Sequence, residues 1–298
     1  GGVGKTTTMK YIHNQLLKEK GKFGNVYWVT VSKAFSITKL QSDMAKALKL
    51  CFSNDEDETV RASELLAVLS RHKRYVLILD DVWEPFDLDS VGILKPLRSN
   101  GCKLVLTTRS LEVCRTMECT PVKVDLFTEK EALTLFHTKA VGQDTVLPSE
   151  DEEIEAKIAK ECACLPLAIV TLAGSLRGLK GTREWRNALN ELIRSTKDAC
   201  DVVSKVFEQL KFSYSRLGDK VLQDCFLYCS LYPEDCFIPV NELIQYWIEE
   251  EIIADTDSVE AQFDKGHAIL GKLTSSCLLE SVTDIFEQEC VRMHDWLS

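Results

Sequence analysis

Lys5 and Thr6 close a glycine-rich run, Gly1-Gly2-Val3-Gly4-Lys5-Thr6-Thr7, and an apolar stretch later in the chain, Tyr75-Val76-Leu77-Ile78-Leu79, ends on Asp80 and Asp81. The chemistry open to that pair is the binding of a nucleoside triphosphate with magnesium. Glycines let backbone N–H groups close around phosphates, the Lys5 ammonium reaches the terminal phosphates, and the Thr6 hydroxyl can ligate a metal at the start of a helix. Gly2, Val3, Gly4 and Thr7 belong to the same phosphate-binding loop. Asp80, delivered by a buried parallel strand to the carboxyl edge of its sheet, would complete the metal shell. Asp81 can orient an attacking water as a base. It is one methylene shorter than the glutamate that many ATPases use, which points to weak catalysis. The opposing reading is a degenerate site that keeps the fold without the nucleotide; intact Lys5, Thr6 and Asp80 weigh against it.

Thr107-Thr108-Arg109 ends another apolar run at the same expected sheet edge. Arg109 can read a γ-phosphate there and a threonine can bind it through a hydroxyl, or the arginine is an exposed loop residue; the residues alone leave both open. His294, beside Asp295 after a strand-like stretch, reads on its own as a structural or surface histidine.

The elements that must position these groups alternate in the manner of a helix-covered parallel sheet over residues 1–125. Helical patterns at 6–20, 37–50 and 63–71 alternate with strand patterns at 25–31, 75–79 and 103–107, and 122–126 reads as a last, shorter strand. Strand signal then fades. Residues 129–140, 152–164, 167–177 and 184–195 carry helical spacing, the last through Trp185, Leu189, Leu192 and Ile193 as one apolar stripe. A third section, 201–298, has helical patterns at 202–214, 220–231, 240–250 and 259–275. Residues 278–282 and 289–293 can pair as a hairpin, which suggests a winged helix. The fold class expected is an α/β P-loop nucleotide-binding domain, 1–125, followed by a helical domain, 126–200, and a winged-helix domain, 201–298.

The pattern G-x-x-x-x-G-K-[ST] places its first glycine two residues before Gly1, and a strand should precede that loop. The chain therefore reads as part of a longer protein. With 298 residues, 45% hydrophobic and 28% charged, composition is ordinary for a globular chain of about two domains. No signal peptide and no long apolar run is present, so a cytosolic protein is expected. Twelve cysteines sit in apolar stretches without a C-x-x-C pair, so Cys162, Cys164, Cys225 and Cys229 read as small buried residues and not zinc ligands. A net charge of −10 disfavours an extended nucleic-acid surface. The acidic runs at 54–58 and 149–155 read as solvated linkers or helix starts, the second placing charge at a helix N-terminus after Pro148.

Taken in order, the stretches 1–7, 26–33, 77–83, 103–109, Leu165-Pro166-Leu167-Ala168, 225–234 and Met293-His294-Asp295 resemble the NB-ARC module of plant nucleotide-binding leucine-rich-repeat disease-resistance proteins. Trp83 after the aspartates points to the coiled-coil class. The resemblance covers essentially the whole chain. It implies that Lys5 and Thr6 hold phosphates and magnesium, that Asp80 is the metal aspartate and Asp81 the hydrolytic base. It further implies that Arg109 senses the γ-phosphate, Pro166 packs on adenine and His294 reaches the β-phosphate of ADP. The function implied is an ATP/ADP-dependent switch with weak ATPase activity in an intracellular immune receptor, ADP-bound at rest and ATP-bound when it triggers defence. Flanking coiled-coil and leucine-rich-repeat domains, a pathogen effector or guarded host protein, and further copies in an active homo-oligomer are the implied partners. The implied location is the cytoplasm, including the inner face of the plasma membrane. The family usually has glycine where this chain has Cys164, and a glycine there for positive φ would make cysteine costly. The competing functions are a P-loop ATPase acting on nucleic acid, which needs a basic recognition helix that 240–250 lacks, and a nucleotide-dead scaffold.

Overall fold

The computed structural model describes the chain except residues 1, 20–22, 32, 54–56, 73, 98–99, 234–235, 255–257, 285–286 and 295–298, and the side chain of Val202. The chain divides into two compact units, one over Val3–Val124 and one over Asp125–Ser298 together with Gly2.

In the first unit, α1 (Lys5–Lys18) leads to β1 (Asn25–Thr30), α2 (Ile37–Leu48), α3 (Glu58–Arg71), β2 (Tyr75–Val82), α4 (Leu88–Val91), β3 (Lys103–Thr108) and α5 (Leu111–Thr116). The strands form one parallel sheet in the order β1-β2-β3. Central β2 is buried along its whole length, as a strand covered on both faces must be. Its side chains alternate. Tyr75, Leu77 and Leu79 pack with Leu40, Met44, Leu65 and Leu69 of α2 and α3, while Val76 and Ile78 pack with Met9 and Leu16 of α1. Two helix layers, one on each face, therefore clamp β2 and leave its last residues at the sheet's carboxyl edge. Ser36, Asp57 and Ser110 cap α2, α3 and α5 by accepting backbone N–H bonds. Asp57 makes part of the first acidic run a helix start; 54–56 lie outside the described residues.

Residues 122–126 form no strand. Val122 is 85% exposed, and a strand there needs a neighbour to take its N–H and C=O groups. Among the described residues β3 pairs with β2 alone, so the β-favouring side chains have no ladder to join.

The second unit begins with α6 (Glu129–Ala140), α7 (Ser149–Glu161), α8 (Pro166–Ser175), α9 (Thr182–Thr196) and α10 (Val202–Ser215). Thr128 and Glu131 form a reciprocal capping box on α6. Helix α8 is buried at seven of its ten positions and packs against α6 and α10, which explains its nearly uniform apolar sequence. The buried line of α9 is Trp185, Ala188, Leu192 and Thr196. Ile193, expected on that stripe, is 48% exposed; Ala188 takes its place because packing on α7 selects a face rotated from the most apolar one. In α7 the acidic start is only partly solvated: Asp151 and Glu155 are each 3% exposed, correcting the expectation of solvent-facing charge.

The unit continues through α11 (Lys220–Tyr228), a 3-10 turn (Cys229–Leu231), β4 (Ile238–Pro239), α12 (Val240–Glu249), α13 (Val259–Ser275), β5 (Leu279–Thr283) and β6 (Glu289–Met293). Strands pair antiparallel in the order β4-β6-β5, a winged helix. Trp247, Leu243, Ile244, Leu270, Leu273 and Val291 lie in its core. Gly266 admits Ile244 so closely that a Cβ would lie 2.5 Å from its Cγ2. The helix before the wing, second of the α12–α13 pair, is α13, so the recognition position belongs to α13 and not to 240–250. Exposed Glu260 and Asp264 face out there with Lys272, and Lys265 donates to the Ala254 carbonyl. No basic stripe results.

Candidate functional site

Gly4 caps α1 at φ +88, a conformation that favours glycine, and open space lies where a Cβ would stand. No side chain caps α1 and its first turn holds no acidic residue, so the helix presents its leading N–H groups and positive dipole end to an anion. Gly2, at φ +72, also uses the left-handed region. Val3, Lys5 and Thr6 are half-buried and Thr7 is exposed.

Across the sheet edge, the Thr6 hydroxyl donates to Asp80 Oδ1 at 3.1 Å. The same oxygen accepts from the Thr107 hydroxyl at 2.6 Å. Asp80 is 2% exposed, held by hydroxyls with its carboxylate among hard oxygen donors. A hydroxyl beside a carboxylate at an uncapped, glycine-lined helix start suits magnesium with a nucleotide phosphate. The residues therefore fit the group that the sequence implies.

Asp81 occupies a bulge. Leu79 pairs with Leu106 and Val82 with Thr108, so Asp80 and Asp81 face Thr107 alone, and Asp81 takes φ +56. Aspartate tolerates this region better than most residues. The Asp81 N–H donates to Thr107 Oγ1 at 2.8 Å. The bulge turns consecutive aspartates to different tasks: Asp80 meets Thr6, whereas Asp81 accepts from Trp83 Nε1 at 2.7 Å and lies 3.7 Å from Arg109 Nε. The Arg109 guanidinium sits 4.5 Å from the Trp83 ring centroid and Lys33 Nζ sits 5.0 Å from it. The first unit thus brings together Thr6, Asp80, Asp81 and Arg109. Sequence reading offered a threonine of Thr107-Thr108 to the γ-phosphate, whereas the Thr107 hydroxyl is bound to Asp80 and to the Asp81 N–H; it missed the placement of Trp83 and Lys33, whose only signal was their place in the matched stretches.

Pro166 and His294 belong to the second unit. Pro166 starts α8 at a position where its missing N–H costs no helical bond. His294 follows β6 and is half-buried; Asp295 lies outside the described residues. Cys164 takes φ +58 after Ala163 at +49, so the loop before Pro166 does demand the left-handed region, at about 1 kcal/mol or more for a side-chain-bearing residue. Cys162, Cys225 and Cys229 are buried, and burial pushes the Cys225 and Cys229 thiols up to about 12. Among the described residues no three or more His, Cys, Asp or Glu side chains gather as ligands for a metal ion, and no helix is long and apolar enough to cross a membrane.

A P-loop helix set against a two-aspartate strand, followed by helices and a winged helix, defines a nucleotide-binding protein of modular α/β and helical build. Family models agree with it: residues 1–146 match the NB-ARC domain and 231–298 the disease resistance protein winged helix domain. Disease resistance protein UNI of Arabidopsis thaliana is 40% identical over 301 residues, covering 99% of this chain and 33% of that protein. Disease resistance protein SUMM2 of the same plant is 38% identical over 299 residues, with coverage of 99% and 33%. The chain belongs to the NB-ARC family of plant disease-resistance proteins, and it spans about a third of the length of these relatives. A solved structure of Drosophila ORC bound to AT-rich DNA and Cdc6 aligns over 97% of this chain and 78% of its own, at 10% identity and a TM-score of 0.25, too low to carry an argument.

Proposed function

We propose that this chain is the ATP/ADP-operated switch of an intracellular plant immune receptor, ADP-bound at rest and ATP-bound when it triggers defence. The observation that carries this is the hydrogen bond from Thr6 to Asp80 at 3.1 Å beside an uncapped, glycine-led helix. In this reading Gly2, Val3, Gly4, Lys5, Thr6 and Thr7 hold the phosphates. Thr6 and Asp80 would hold Mg2+, which when bound supplies neutralisation of the terminal phosphates. Asp81 serves as the base of a slow hydrolysis that resets the switch, and Arg109 reads the γ-phosphate. Pro166 packs on adenine, and His294 reaches the β-phosphate of ADP.

The proposed partition is a P-loop domain at 1–125, a helical domain at 126–200 and a winged-helix domain at 201–298. Coiled-coil and leucine-rich-repeat domains of the parent chain flank it, an effector or guarded host protein triggers it, and active copies assemble as a homo-oligomer. Its location is the cytoplasm, including the inner face of the plasma membrane. A ligand shifts such an equilibrium only by its differential affinity for the two states, and His294 is the residue assigned a contact in the ADP state alone. The absence of a basic stripe on α13 disfavours the nucleic-acid ATPase.

Purifying the full-length parent and identifying the nucleotide that accompanies it tests the reading. ADP at near-full occupancy is expected, and Lys5→Ala should empty the site. A parent that carries no nucleotide, or a Lys5→Ala variant with wild-type occupancy, would overturn it.

A further inference from the structure

Trp83 touches three charged groups around the site. Its indole N–H donates to Asp81 Oδ2 at 2.7 Å. The Arg109 guanidinium lies 4.5 Å from its ring centroid and Lys33 Nζ 5.0 Å from it. Arg109 Nε also approaches Asp81 Oδ1 at 3.7 Å. One side chain thus restrains both the proposed base and the proposed γ-phosphate reader. We propose that Trp83 is a positioning residue that holds Asp81 and Arg109 in a resting, non-hydrolytic arrangement.

The proposal rests on the reading of Asp81 as the base. Hydrolysis breaks the bond from the γ-phosphorus to its bridging oxygen, forms one to a water oxygen and passes the water's proton to the base, so the base must offer an oxygen to that water. Here the indole engages one Asp81 oxygen and the guanidinium faces the other. The backbone resists a compensating move, because Asp81 sits in the bulge at φ +56 with its N–H bound to Thr107. When Arg109 turns to a γ-phosphate, Oδ1 is released, but the indole N–H retained on Oδ2 still draws charge from the carboxylate and weakens it as a base. Tryptophan alone among aromatic residues joins a ring N–H donor to the strongest cation-binding face. Phenylalanine keeps a face for Arg109 and loses the hydrogen bond; leucine loses both.

The test uses the full-length receptor with 5-fluorotryptophan, in wild-type form and as Trp83→Phe, Trp83→Leu and Asp81→Gly. Glycine suits the positive φ of position 81 and removes the carboxylate. The fluorine resonance absent from Trp83→Phe identifies Trp83, and it should shift in Asp81→Gly; a resonance that stays in place overturns the proposal. Trp83→Phe should raise the ATP turnover number roughly three- to tenfold, the scale of one released hydrogen bond, with KM unchanged. Trp83→Leu should raise turnover and lower KM as well, because Arg109 is freed from the ring that holds it in the resting arrangement. Unchanged or lowered turnover in Trp83→Phe, with Asp81→Gly inactive, overturns this proposal alone. Undiminished hydrolysis in Asp81→Gly overturns the base reading and this proposal with it.

Discussion

Thr107 donates its hydroxyl proton to Asp80 Oδ1 over 2.6 Å, and its oxygen accepts the N–H of the next residue, Asp81, at 2.8 Å. One buried hydroxyl therefore sets the direction of the Asp80 carboxylate and satisfies the bulge that separates the two aspartates. Thr107→Val keeps the shape and removes both bonds. It leaves the Asp81 N–H buried without its acceptor, at roughly 1–3 kcal/mol of stability. Thermal unfolding should report that loss, and magnesium titration of nucleotide binding should show a weaker dependence. Thr107→Ser should restore most of each; a valine variant equal to wild type in both would contradict the role given to this hydroxyl.

His294 follows β6 in the winged helix and is half-buried. If it holds ADP in the resting state, His294→Ala in the parent shifts the balance toward the active form by about 1–3 kcal/mol, the usual range for a coupling contact. The measurement is the ratio of bound ATP to ADP, set beside cell-death signalling without a pathogen trigger. A variant that stays folded, silent and ADP-loaded would make His294 structural.

His137 links α6 to α7. Its Nδ1 lies 3.0 and 3.1 Å from the two carboxyl oxygens of Glu155, and Nε2 lies 2.9 Å from the Thr145 carbonyl oxygen, which can only accept, so Nε2 carries a proton. Burial acts to lower the His137 pKa, but the hydrogen bond and charge of Glu155 outweigh it and hold the imidazole above its ordinary 6.5. Burial raises Glu155 above 4.5, only partly opposed by His137. Both groups thus bind their protons more tightly folded than unfolded. The His137 contribution is fully present below pH 6.5 and is lost as pH rises through its higher folded value. The cost of ionising buried Glu155 likewise grows from pH 4.5 upward. Denaturant midpoints should fall as pH rises above 6.5, and Glu155→Gln should flatten that slope. An equally steep slope in the glutamine variant would exclude the pair as its source.

Gly174 of α8 meets the chain just after α13: a Cβ at position 174 would lie 2.5 Å from the Ser276 carbonyl oxygen. Backbone cannot give way as a flexible side chain can. Gly174→Ala should cost about 1–3 kcal/mol as overpacking in the second unit, visible as a lower urea midpoint. Gly271→Ala, on the exposed side of α13 with nothing within 4 Å, should be neutral or slightly stabilising through helix propensity. Equal effects at the two glycines would refute the close approach.

The phosphate loop, the two-aspartate strand, the bounds of α13 and the final hairpin were legible in the sequence because local signals determine them. Glycines before Lys5, an unbroken apolar run before Asp80 and helical spacing over 259–275 each state their own geometry within a few residues. Other features belonged to the tertiary structure. Residues 122–126 have strand-forming side chains, but a strand exists only where a neighbour supplies its hydrogen bonds. The apolar stripe of α9 allowed Ile193 inside, yet packing chose the line through Ala188 and Leu192. Asp151 and Glu155 looked solvated until α7 turned them inward, with His137 beside Glu155. At the site, Asp80 and Asp81 are adjacent letters that a bulge directs to different partners, and Lys33, Trp83 and Arg109 meet because β1, β2 and β3 end at one edge. Periodicity records which side of an element is apolar; which distant side chains share that side is decided only when the elements pack.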